Sequence, residues 1–93
     1  MSDSSERRTA IEIVGAYYEQ HLGELLGHVA DAVERFSRGE LSALEADGVM
    51  FQYSRAAKKL WSFCYVTSTG DAARSIAESD GIDWWVLGAY RRR

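Results

Sequence analysis

No proline interrupts this chain, and no apolar run approaches the ~20 residues needed to cross a bilayer. The first absence removes the strongest helix breaker, so a helical period can run on undisturbed. The second excludes a spanning segment, and no membrane partner is expected. One cysteine, Cys64, cannot form an internal disulfide, so a reducing cytoplasm is the expected location. There are only two histidines, His21 and His28, which leaves little material for a metal centre. Gly70 and Gly81 stand alone, so there is no phosphate-binding glycine loop. The serines show no nucleophile elbow and no triad order. The N-terminal MSDSSERR is polar and leads to no apolar block, so no secretory signal is expected. Internal repeats and low-complexity segments are also missing.

What is present is apolar and aromatic. Of the 93 residues 46% are hydrophobic and eleven are aromatic, which argues against disorder and for one domain. A chain of this length buries only ~60–65% of its unfolded surface, so its own core is thin. The net charge of −3 is uneven: residues 1–50 hold ten acids and four bases, residues 51–93 four acids and seven bases. An acidic helix lying against a basic one, within the chain or between copies, is the simplest reading of that asymmetry.

The chain is organised around Ser42–Val66. Ala46, Val49, Met50, Tyr53, Ala57, Leu60, Trp61 and Cys64 recur at steps of three and four, the period of an amphipathic helix. Ala56 and Phe63 widen that face. Gln52, Arg55, Lys58, Lys59 and Ser62 form the opposite one. Ser42 followed by Glu45 is a capping box that fixes the start. Gly48 weakens the second turn by ~1 kcal/mol relative to alanine.

Upstream, residues 1–8 read as a flexible polar tail. Thr9 and Glu12 form another capping box, so a helix is expected by Ala10 and extends to Ser37. Its seam is Ile11, Gly15, Tyr18, Leu22, Leu25, Val29, Ala32 and Phe36, flanked by Val14, Leu26 and Val33. Gly39 stops it. The link to Ser42 is short, so the two helices are antiparallel neighbours. Downstream, Asp71 or Thr69 caps a short helix over Ala72–Ser79 with Ile76 and Ala77 inward. Asp83 caps a last segment, Trp84–Tyr90, which docks near Trp61. The fold class is therefore all-α: a long antiparallel helical hairpin with one or two short C-terminal helices folded back, residues 9–93 forming a single domain.

The stretch FSRGELSALEADGVMFQYSRAAKKLWSFC, followed by DWWVLGAYRRR, resembles small actinobacterial-type proteins with no assigned function, over roughly residues 33–93. That resemblance implies no activity and no site.

Three groups of residues are candidates for function. Tyr17, His21, Glu24, His28 and Asp31 form a column on the first helix, and His21, Glu24 and His28 offer metal ligands of the kind helical bundles use. The second helix supplies neither acid nor histidine between Ser54 and Cys64, so such a site needs a second subunit; no cofactor is expected. Arg55, Lys58 and Lys59 with Arg91, Arg92 and Arg93 are the basic groups near aromatics. A nucleic-acid domain is usually basic overall, and the acidic balance speaks against that partner. The third group is a surplus of apolar surface: Leu26, Val33, Tyr53, Leu60 and Trp61, with Gly23 and Gly27 on a small-residue stripe, are candidates for an interface. Cys64, among aromatics, reads as an inert buried thiol, and no catalytic residue is expected. The reading is a non-catalytic helical interaction or regulatory module, self-associating as a twofold homodimer and open to a further protein partner. The alternatives are a small nucleic-acid-binding regulator and a bundle for a small ligand or metal.

Overall fold

The computed structural model describes residues 2–79 and 81–90, with side chains from Ser5 onward. It is all-α among the described residues. Helix α1 spans Ser2–Ser37, α2 Ala43–Tyr65, α3 Thr69–Glu78 and α4 Trp84–Leu87. The first two make the expected antiparallel hairpin, and the two short helices fold back on it.

Each end follows from local chemistry. Gly39 takes φ 78, a left-handed conformation in which a side chain is strained. Its N–H donates to the Phe36 carbonyl and that of Glu40 to Arg35, a Schellman closure of α1. The Ser42 capping box forms as read: Glu45 N–H donates to Ser42 Oγ at 3.0 Å, and Ser42 N–H to Glu45 Oε1 at 2.8 Å. Asp83 caps α4 by accepting from Val86 N–H.

Two boundaries differ from the sequence reading. Helix α1 begins at Ser2, so Ser2–Arg8 is helical and Thr9 and Glu12 lie inside the helix, not at its cap. Residues 2–8 contain no glycine or proline to stop a helix from extending. Helix α3 begins at Thr69 with Ser68 as its cap, accepting from Asp71 N–H at 3.2 Å, so neither Thr69 nor Asp71 is the cap.

The core is Val14, Leu25, Ala56, Leu60, Cys64, Ala72 and Trp84. It keeps most of the expected seams and departs from them at a few positions. On α1, Leu25 and Ala32 of the seam and the flanking Val14 are buried, while Ile11 and Phe36 at its ends are exposed. On α2, Ala56 and Phe63 pack inward, while Met50 and Trp61 are exposed. On α3, Ala72 is buried and Ala73 and Ile76 pack on the core, whereas Ala77 is exposed. Ala56 and Phe63, at the edge of the expected α2 face, lie on the side where the C-terminal segment docks.

Candidate functional site

The hairpin has two broad faces, and the C-terminal segment covers one of them. Trp84 is 6% exposed. Its indole Nε1 donates to Tyr17 Oη at 3.0 Å, and its ring lies 5.2 Å from Phe63. Trp85 stacks on His28, with ring centroids 4.1 Å apart and planes 4° apart. Main-chain carbonyls of the segment are held by α2: Gln52 Nε2 donates to Trp85 O at 2.8 Å and Arg55 Nε to Gly88 O at 2.7 Å. Gly88 has no room for a side chain, since a Cβ there would meet Ala56 Cβ at 2.6 Å and the Gln52 carbonyl at 2.7 Å. The segment thus docks through Tyr17, His28, Gln52, Arg55 and Phe63. The expected docking near Trp61 does not occur.

Among the described residues, the opposite face carries no such cover. Residues seven or eleven apart lie close to one direction on a helix, and eighteen apart make five turns. Leu26 and Val33 therefore point the same way from α1, as do Ala43, Met50 and Trp61 from α2. Leu26 is 48%, Val33 44%, Met50 43% and Trp61 49% exposed. Val33, Phe36, Ala43, Ala46, Asp47 and Met50 line an apolar groove of ≈ 330 Å³ near the hairpin tip. At the other end Trp61 and Tyr65 lie 6.2 Å apart, and Tyr65 meets Tyr18 edge-on at 5.4 Å. Burial, with lesser contributions from Tyr53, Tyr65 and Cys64, raises the Tyr18 pKa above its ordinary value.

The interface candidates separate on this geometry. Leu26, Val33 and Trp61 lie on the uncovered face. Tyr53 is half-buried against the core. Leu60 is fully buried and gives nothing to a partner, because it fills the centre of the hairpin. Gly23 and Gly27 have nothing within 4 Å of an added Cβ, so among the described residues no other part of the chain approaches these two glycines. Phe36, Ala43 and Met50 were not among the expected interface residues. Periodicity assigned Phe36 and Met50 to the core; the spacing of Ala43 and Met50 from Trp61 marks a shared direction, whereas Phe36 joins the face only by lining the groove.

The histidine column is used within the chain. His21 Nδ1 lies 3.0 Å from Glu24 Oε1, and the His21 ring packs 4.2 Å from Tyr17. His28 is taken by Trp85. Among the described residues, no group of three or more His, Cys, Asp or Glu side chains is arranged to hold a metal ion. His21, Glu24, His28 and Asp83 do share the wall of a cleft of ≈ 340 Å³ between α1 and residues 81–85.

The basic group divides as well. Arg55 holds Gly88 and lies 5.8 Å from the Tyr90 ring. Lys58 and Lys59 are exposed. Arg91, Arg92 and Arg93 lie outside the described residues. The described ion pairs do not join acids of α1 to bases of α2; they link Arg35 and Arg38 to Glu34 and Glu40, Arg74 to Asp71, and His21 to Glu24. Within the chain, the described contact between the two long helices is therefore apolar packing and not ion pairing. Cys64 is buried, and burial raises its thiol pKa above the ordinary value, which suppresses the nucleophilic thiolate. Among the described residues no buried side-chain nitrogen or oxygen lacks a partner, and no helix is long and apolar enough to cross a membrane. Compared with known protein families, with curated proteins and with solved structures, the chain matches none.

Proposed function

We propose that this protein is a non-catalytic helical interaction module that works as a homodimer through the uncovered face of its hairpin. One observation carries the reading: the exposed apolar side chains Leu26, Val33, Phe36, Met50 and Trp61 gather on the face opposite the C-terminal segment. Large contiguous apolar patches are uncommon on soluble monomers and mark interaction sites. The surface area supports it. The chain exposes 6647 Å², about 1,200 Å² more than is typical of a compact 10.4 kDa monomer. Its radius of gyration is 16.2 Å, against about 12 Å for a compact chain of this length. Overhang of the first turns of α1 accounts for part of the excess. A standard interface removes ~800 Å² from each partner, which this excess can supply.

Sedimentation equilibrium of the full chain at micromolar concentration is the test. A reversible dimer is the expected result. A single 10.4 kDa species throughout the range overturns the homodimer.

A further inference from the structure

We infer that two copies pair face to face in an antiparallel register, with Trp61 of each seated in the Val33–Phe36–Met50 groove of the other. This rests on the homodimer reading above and adds the occupant of the groove and the position of the twofold axis.

The argument begins from an unlike pair of features on one face. Trp61 is a large, rigid, half-exposed ring. The groove of ≈ 330 Å³ is an apolar hollow lined by both long helices. They cannot meet within one chain, because eleven residues of straight helix hold Met50 and Trp61 about 16 Å apart along α2. In a twofold interface one patch serves both partners, so a knob and a hollow on the same face fill each other twice. An axis perpendicular to the helices, crossing α2 midway between Met50 and Trp61, brings this about. It crosses α1 near Leu26, which then meets the partner's Leu26 across the axis. Each long helix lies against its own copy running the opposite way, the arrangement of a four-helix bundle.

The charges are compatible with that register. Along α2 the uncovered face carries only Asp47 and Lys58 at its margin. The axis sets Asp47 beside the partner's Tyr65, whose hydroxyl can donate to it, and Lys58 beside the partner's Ser54. The two Lys58 residues lie on either side of the axis, roughly 7.5 Å apart along the helices, and their long side chains can splay outward into solvent. The alternative twofold, with its axis parallel to the helices, brings the two hairpin tips together. It leaves both Trp61 rings at one end and both grooves empty at the other.

Two readouts on the full chain test the register. Trp61→Ala should weaken the dimer about thirtyfold or more, the scale of a central aromatic anchor, while the helical circular dichroism of the protein is unchanged. Leu26→Cys should form an intersubunit disulfide on mild oxidation, whereas Val33→Cys, set away from the axis, should not. Cys64 is buried and serves as the internal control. A dimer that survives Trp61→Ala at full affinity, or that cross-links through Val33→Cys in preference to Leu26→Cys, overturns the register and leaves the homodimer standing. Absence of any dimer in the parent chain overturns both.

Discussion

The two faces of the hairpin are built from similar residues and have opposite fates. On one, Tyr17, His28, Phe63, Gln52 and Arg55 receive Trp84, Trp85 and Gly88. On the other, Leu26, Val33, Met50 and Trp61 receive none of those groups and stay about half exposed. The difference lies in polar positioning. The covered face supplies donors that fit carbonyls of an irregular segment, and it supplies the small Ala56 where the backbone must come close. The uncovered face supplies almost no donors, so a short coil segment with exposed carbonyls has no reason to settle there. A preformed helical surface with its backbone bonds already made suits it better.

Removing the cover should have the largest effect. Truncation before Asp83 takes away Trp84, whose loss from a core costs ~3–5 kcal/mol, together with the bonds to Gln52 and Arg55. Thermal or urea unfolding measures this. A truncated chain as stable as the parent would show that the covered face does not depend on its cover.

Gly88→Ala is a finer cut at the same contact. Its Cβ meets backbone as well as side chain of α2, so the segment must lift, and overpacking of this kind costs ~1–3 kcal/mol. Urea unfolding followed by tryptophan fluorescence should show a lower midpoint. Gly23→Ala, in open space and within a helix, should instead raise stability by about 0.5–1 kcal/mol.

On the uncovered face the ordering reverses. Val33→Ser or Met50→Ser should change monomer stability by only about 0.5 kcal/mol, as exposed substitutions do, while shifting self-association measured by sedimentation. If these changes unfold the monomer instead, the face is part of the core and the contrast between the two faces fails.

The smallest effect is a pH dependence at the α2 cap. Hydrogen bonds from the Ser42 backbone and side chain lower the Glu45 pKa below its ordinary value of 4.5. A lowered folded-state pKa contributes stability that is present above 4.5 and lost as pH falls through the lower folded value. The stability difference between the parent and Glu45→Ala should therefore shrink on acidification below pH 4.5. Paired urea titrations at neutral and acidic pH detect it, and a difference independent of pH would show that the carboxylate takes no part.

Much of the hairpin was legible in the sequence. Ser42 and Glu45 announce the start of α2, Gly39 the end of α1, and Asp83 the start of α4, because caps and stops act over a few neighbouring residues. Among the candidate sites, the apolar surplus at Leu26, Val33 and Trp61 was legible too, since the long helices plainly carry more apolar side chains than one mutual contact can use.

The sequence by itself determined the helices, their order and the antiparallel turn, since these depend on periodicity and local hydrogen bonding. Tertiary structure alone decided which way each helix faces inward. The apolar arc of α2 is wide enough to centre on Trp61 or on Phe63, and periodicity set Trp61 in the stripe and Phe63 at its edge. The choice fell to Phe63 because Tyr17 offers an oxygen to Trp84 and Ala56 leaves space for the Gly88 backbone. Those contacts join residues more than thirty positions apart, and no local rule of sequence connects them.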